Sequence, residues 1–377
     1  MNIDQERLAL TFTRLCETDS PSRSEGKMAA LLTEILCELD LEPPFEDDSA
    51  KQTGSDCGNL FFRIPGSLDR EPLFFNCHMD TVEPGTGIKV VRKNDLFTSL
   101  GNTVLGSDDK AGIAALIEAL QVIRENNLPH IPMEYVFTTC EEIGLLGAKA
   151  LNPEQIGAKI GYALDTSGFG RVIIGAPASN RLKISIQGLA AHAGLHPELG
   201  INAITLAGQA LAKAPLGRID EESTVNFGTI QGGTASNIVP EQVSIEGEVR
   251  SHSPEKLERL TREIEQVFQT AVQGWHDPTG KAQGRPELHF TAEPDFPVMQ
   301  LSTQDTVIRL IDQAAATIGM ELSYEMAGGG SDANIFNGYG LQTAIVATGM
   351  THVHSMDEQV SLQDMVDLTR LLLALIT

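Results

Sequence analysis

The chain predicts an α/β protein carrying an inserted α+β module of ferredoxin-like order. Three observations carry this expectation. Apolar runs of strand length recur toward both ends of the chain, separated by stretches of helical periodicity. Four of these runs end at, or just before, an acid or a histidine, as strands of an α/β sheet do when a site lies beyond their carboxyl ends. Residues from about Arg181 to Ala292 instead read strand, helix, strand, strand, helix, strand.

Taken in order, Asp4 to about Leu39 reads as two helices broken at Asp19-Ser20-Pro21. Ser24 is the expected cap of the second, whose apolar face is Met28, Leu31, Leu32, Ile35 and Leu39. Strands are expected at Asn59–Ile64 and Leu73–Cys77. The latter, Leu-Phe-Phe-Asn-Cys, is almost continuously apolar, as befits a strand covered on both faces, and it runs into His78-Met79-Asp80. Gly106-Ser107-Asp108-Asp109-Lys110-Ala111-Gly112 opens a helix from Lys110 to about Asn126, with Ser107 or Asp108 as its cap. Both acids sit where a helix dipole favours negative charge, so this stretch alone reads as an ordinary helix start.

Met133–Cys140 is a strand candidate leading into Glu141-Glu142, and Ile160–Leu164 is another ending in Asp165. The middle elements are expected at Leu182–Gln187 (strand), Asn202–Lys213 (helix), Val225–Gly232 and Val243–Arg250 (strands), Pro254–Thr270 (helix) and Leu288–Thr291 (strand). Connectors near Pro177-Ala178-Ser179 and Glu293-Pro294 set the expected boundaries: an inserted domain over 179–292, and a main domain made of 1–178 and 293–377. Leu341–Ala347 repeats the strand pattern, and His354 follows in the next loop. Ser361 and Asp364 resemble a capping box opening the last helix.

Composition bounds the function. At 377 residues, with 41% hydrophobic and 21% charged residues, the chain has material for a sizeable core and about two or three domains. Acids outnumber bases, 51 to 27, for a net charge of −24. That opposes a nucleic-acid or anionic-membrane partner, since both need basic patches. No basic region followed by an apolar stretch opens the chain, and no apolar run approaches a membrane span. The five cysteines (16, 37, 57, 77 and 140) form no C-x-x-C pair, which suits free thiols in the cytoplasm. Cys77 and Cys140 precede candidate site residues and, on a strand, face the other way, so they are expected to be buried packing residues.

The acids and histidines at the strand ends are candidate metal ligands. Carboxylate and imidazole without thiolate suit zinc, with manganese or cobalt as substitutes. A single carboxylate can bridge two metals about 3.5–4 Å apart. If Asp108 bridges, His78 and Asp165 can serve one metal, and Glu142 with His354 (or His352, two residues earlier) the other. Each metal then keeps an open position, as a catalytic site requires. In His78-x-Asp80 the two side chains face the same way, so Asp80 is placed to accept the other ring N–H of His78. Glu141 points away from its neighbour and is free to take a proton from water.

Together these motifs resemble the M20 family of metallopeptidases, and more closely its tripeptidase T-like branch. The match runs through His78-Met79-Asp80, Gly106–Gly112, Glu141-Glu142, Asp165 and His354-Ser-Met-Asp-Glu358. The histidine followed four residues later by a glutamate selects His354. The resemblance implies a zinc-peptidase-type catalytic domain, a mixed central sheet flanked by helices, with an inserted lid. It implies two zinc ions bridged by Asp108, a cis peptide after that residue, Glu141 as general base, Glu142 as a ligand and Asp80 as a catalytic residue. Gln187–Gly194 and Gly200-Ile-Asn-Ala203 look like the family's lid signature, in which His192 reaches the partner subunit's site in a homodimer. Ser236-Asn237 and Glu248-Val-Arg250 match lid positions that contact substrate, with Arg250 suited to a peptide carboxylate. Gly328-Gly-Gly330 resembles the family's substrate-side loop.

The expected activity is thus hydrolysis of short peptides, with release of the N-terminal residue of tripeptides through a water activated by Glu141. Related amide substrates (carboxypeptidase, dipeptidase, N-acyl-amino-acid deacylase) share the same metal residues, and a non-catalytic protein would keep the fold alone. The segment between His78 and Asp108 is shorter than in tripeptidase T proper, which leaves the tripeptide specificity open.

Overall fold

The computed structural model describes residues 2–377. The chain divides into two compact units: Ala176–Val298, and the chain on either side of it. Among the described residues the larger unit is built on a nine-stranded sheet. Its centre is four parallel strands in the order Met133–Thr138, Leu73–His78, Ile160–Thr166 and Gln342–Ala347. Parallel strands put all four carboxyl ends on one side of the sheet, and the candidate site residues follow from those ends. Antiparallel neighbours flank them, Leu60–Ile64 on one side and Arg171–Ala176 on the other, and the short strands Phe45–Glu46, Met299–Gln300 and Ser323–Met326 bring the sheet to nine.

The central strands are buried along nearly their whole length, which explains their unbroken apolar sequence. Phe74, Phe75, Tyr135, Phe137 and Tyr162 fill the sheet faces as stacked and edge-on rings. The helix Ser107–Asn126 lies in this core and is buried almost all round. Beyond its first turn, Glu118 is the buried charge on it. Arg7 answers with a two-pronged bond, Nε to Oε2 at 2.8 Å and Nη2 to Oε1 at 2.7 Å, so the buried charge is paired.

Several local expectations are corrected. Ser24 does not cap the second helix, Gly26–Glu38; residue Glu25 holds the cap position with no capping bond from its side chain, and Asp56 accepts the Gly26 N–H at 2.7 Å from thirty residues away. The strand Arg171–Ala176 is not among the expected elements although it is mostly apolar, and the small sheet of Val90–Lys93, Leu96–Ser99 and Gln359–Ser361 has strands too short and too polar for their periodicity to announce them.

The Ala176–Val298 unit is a five-stranded antiparallel sheet. Its order is Gly217–Arg218, Ser223–Gly232, Gln242–Ser251, Ala178–Gln187, Glu287–Phe296. The four long strands and two helices give the ferredoxin-like arrangement. Leu182, Ile184 and Ile186 alternate with exposed or half-buried residues, as a sheet covered on one face requires. They pack with Leu257, Leu260, Ile264 and Phe268 of the helix Pro254–Gln273, whose N-cap is Ser253. Among the described residues no helix is long and apolar enough to cross a membrane.

One glycine tests how closely the sheet is packed. A Cβ on Gly161 would lie 2.3 Å from the ring of fully buried Phe74. Gly161→Ala is expected to destabilise the fold by about 1–3 kcal/mol, read as a lower denaturant midpoint with unchanged m-value.

Candidate metal centre

The side chains that converge at the strand ends are held by two kinds of device: sheet-bound backbone and buried hydrogen bonds. His78 is the last residue of its strand and is 2% exposed. Its Nε2 lies 3.0 Å from Asp108 Oδ1, and its Nδ1 lies 3.1 Å from the Asp80 carbonyl oxygen and 3.4 Å from Asp80 Oδ1. So Asp80 orients the ring mainly through its main chain. Its carboxylate is occupied elsewhere: it accepts Ser22 Oγ at 2.6 Å and the amides of Glu141 and Glu142 at 2.9 and 3.2 Å. Asp80 thereby ties the His78 strand end to the Glu141-Glu142 loop. The buried Lys110 ammonium donates to the Asp80 carbonyl and to Thr81 Oγ1, fixing the same turn from behind.

Asp108 and Asp109 both have non-helical backbone, a break at the start of the helix, and the peptide between them is cis. Neither Ser107 nor Asp108 caps the helix. The donors of this turn go to Glu358, whose Oε2 accepts the amides of Leu105 and Gly106 at 2.8 and 2.9 Å. Its Oε1 accepts Ser107 Oγ at 2.6 Å and the Asp108 amide at 3.1 Å. A carboxylate from the end of the chain thus shapes the loop that presents Asp108. Behind it, Gly112 allows close packing: a Cβ there would meet Asp109 Oδ1 at 2.7 Å and Leu164 Cβ at 2.8 Å.

The donor atoms fall into groups within 4.8 Å of one another: His78, Asp108 and Asp165; Asp108, Glu142 and His354; and His78, Glu141 and Glu142. Asp108 joins the first two. His354 Nε2 lies 3.2 Å from Asp108 Oδ2 and 3.0 Å from Glu142 Oε2. His352 is in none of these groups. Glu141 stays outside both groups that contain Asp108, against His78 and Glu142.

The electrostatics fit cations. Hydrogen bonds to Asp108 and Glu142 push the His354 pKa up to about 10. Burial opposes charge on His78, but its bonds to Asp108 and Asp80 prevail and hold its pKa well above the ordinary value. Burial, then the charge of Asp108, raises Asp165; burial together with Asp332 and Glu142 raises Glu141. Without metal, the cluster must take up protons to lower its negative charge. The hard oxygen and imidazole donors, with no thiolate among them, suit divalent cations in the protons' place.

The residues expected in the lid lie in the Ala176–Val298 unit. Gly194 and Leu195 amides both donate to His192 Nδ1 at 3.2 Å, so the neutral ring carries its proton on Nε2. The exposed Asn237 uses its carbonyl to accept the Ala193 amide at 2.9 Å. Arg250 donates to Glu248 at 2.9 Å and lies over the Phe296 ring, with its buried Nε unpartnered. Gly330 belongs to the other unit, in the loop before the Asp332–Gly338 helix, whose Ser331 and Asn334 form a capping box.

Residues 174–276 match the family description Peptidase dimerisation domain of M20 proteins, and residues 59–185 match Peptidase family M28. YqjE of Bacillus subtilis strain 168, an uncharacterized protein, is 38% identical over 99% of this chain and 98% of its own. A solved structure of aminopeptidase PepT from Bacillus cereus ATCC 10987 is 39% identical, with a TM-score of 0.88 over 99% of this chain and 98% of that one. A tripeptidase structure from Staphylococcus aureus Mu50 is 34% identical with a TM-score of 0.91 over the same shares. The chain belongs to the M20 family of metallopeptidases. The M28 match stops at residue 185, short of most of the insertion that the dimerisation domain describes.

For this M20 enzyme two measurements check the centre. Glu358→Gln keeps the size but loses half the acceptors of the Asp108 loop, and should weaken metal affinity about 10–100-fold in a metal titration. The second concerns pH. The His354 pKa is about 10 in the metal-free fold against 6.5 unfolded, so its stabilisation is complete below 6.5 and is lost as pH climbs through about 10. The raised carboxyls of Glu141 and Asp165 act in the same direction. The melting temperature of chelated protein should therefore fall from pH 7 to pH 10, and saturating divalent cation should flatten that slope.

Proposed function

We propose that this metallopeptidase is a two-zinc aminopeptidase of the cytoplasm that releases the N-terminal residue of short peptides, tripeptides foremost. The observation that carries the reading is the pair of donor groups joined through Asp108, with Glu141 left over beside them. The full-length likeness to proteins described as an aminopeptidase and a tripeptidase supports the substrate class.

In this reading Asp108 is shared, His78 and Asp165 complete one metal position, and Glu142 and His354 the other. Cobalt or manganese are expected substitutes for zinc. When bound, the two cations polarise the scissile carbonyl and make water a stronger acid. Asp80 keeps the His78 ring and the Glu141-Glu142 loop in register. Glu141 takes the proton of the attacking water and hands it to the leaving amine. Its burial raises its affinity for that proton, as a base that must later act as an acid requires. His192, from the partner in a homodimer, offers Nε2–H to the developing oxyanion, and its Nδ1 contacts hold that tautomer ready. Arg250 receives the peptide carboxylate, with Asn237 and Gly330 lining the substrate.

The test compares a free tripeptide with its N-acetylated form. The free peptide should be cleaved and the acetylated one spared; equal cleavage of both would point to a deacylase or carboxypeptidase instead. Glu141→Gln should lower kcat about 10²–10⁴-fold with two metal ions per chain retained. Wild-type turnover in that variant would remove Glu141 from the role of base.

A further inference from the structure

The loop that delivers Glu141 and Glu142 begins with a strained residue. Cys140 has φ 54°, in the left-handed region that residues with a Cβ seldom occupy. Its backbone must stay there for the next two side chains to leave the strand end toward His78 and His354. Four consecutive amides of this loop are bound by side-chain acceptors. Thr139 N–H goes to Asn59 Oδ1 at 3.1 Å, Glu141 N–H and Glu142 N–H go to Asp80, and Cys140 N–H goes to Glu25 Oε1 at 2.9 Å.

Glu25 is fully buried, at 0% exposure, and lies far from the strand ends in sequence. Its Oε1 also accepts the Cys140 thiol at 3.2 Å, and its Oε2 accepts Ser55 Oγ at 2.5 Å. No metal-donor group that includes His78, Asp108 or His354 contains it. A buried carboxylate is costly to keep in place. Here all its bonds are spent on one strained residue and on the serine that steadies it.

We propose that Glu25 is a positioning residue for Glu141: its carboxylate clamps the Cys140 amide and thiol and so holds the left-handed turn that aims the base. The inference rests on the reading of Glu141 as base. Asp80 restrains the loop from the side of His78, and Glu25 restrains it one residue earlier. Loss of the Glu25 clamp leaves the strands that carry His78 and Asp165 intact and lets the turn relax at Cys140, while the Glu142 amide stays bound to Asp80.

The test uses full-length, metal-loaded protein with Glu25→Ala, Glu25→Gln and Glu141→Gln. Glu25→Ala should lower kcat on a tripeptide about 10–100-fold, the scale of an ångström-sized misplacement, with KM and metal content within twofold of wild type. Glu25→Gln retains an acceptor for the Cys140 amide and a donor for Ser55, and should recover kcat to within about threefold of wild type. Deuterium uptake by the 139–147 segment should rise in Glu25→Ala and not in Glu25→Gln. Wild-type kcat in Glu25→Ala, or a loss of activity fully matched by loss of metal, overturns the proposal. If Glu25→Ala does not fold, Ser55→Ala and Glu25→Gln decide: a several-fold drop in kcat with faster 139–147 exchange in Ser55→Ala and none in Glu25→Gln supports it, and any other pattern overturns it. Glu141→Gln separates the two readings. If it stays active, Glu141 is not the base; if it is inactive while Glu25→Ala is normal, only the positioning role fails.

Discussion

Everything at the strand ends answers to the mutual repulsion of buried carboxylates. Asp108, Glu142, Asp165 and Glu141 offer oxygens within 4.8 Å of shared neighbours. Two unit charges about 4 Å apart repel by about 4 kcal/mol even at an effective dielectric of 20. A fold that is stable by only about 5–15 kcal/mol cannot hold several such pairs by packing alone. The metal-free protein relieves them by protonating His78 and His354 and by raising the carboxyls of Asp165 and Glu141. Divalent cations do it more completely. The site is therefore built to be incomplete without them, and its rigidity has to come from elsewhere.

That rigidity comes from a ring of carboxylates which are not in the donor groups around Asp108 and which accept backbone amides. Glu358 takes the amides of 105, 106 and 108, Asp80 those of 141 and 142, and Glu25 that of 140. Each is a charge-assisted bond, stronger than a neutral one. Each also settles amides that the end of a strand or the start of a helix leaves unpaired. Two loop residues beside the site, Cys140 and His354, have positive φ. Strain of that kind persists where the surroundings over-determine the backbone, and at Cys140 the Glu25 and Asp80 bonds are what over-determine it.

How much of this can be read from the sequence follows from range. The central strands announce themselves because they are apolar throughout, and His78, Asp108, Glu142, Asp165 and His354 stand at their ends or in the loops beyond. The inserted unit is legible for the same reason: Leu182, Ile184 and Ile186 alternate, and the helix from Pro254 has a clear cap. The caps fail where the partner is remote. Ser24 and Ser107 are sound local guesses, but Asp56 and Glu358 take those amides from far along the chain. Glu25 gives no signal at all, because a glutamate before a helix reads as a solvated helix start. Asp80 is visible as a partner of His78, yet its carboxylate mostly serves the loop across the sheet.

The Glu358 bonds also explain how the centre tolerates an entire unit inserted between its halves. The partners are separated by 250 or more positions along the chain. Closing a longer loop costs only about 0.6 kcal/mol for each doubling of its length. One buried hydrogen bond to a charged group contributes about 1.5–3 kcal/mol, and Glu358 makes four. The insertion's entropic penalty is thus smaller than the hold of a single side chain.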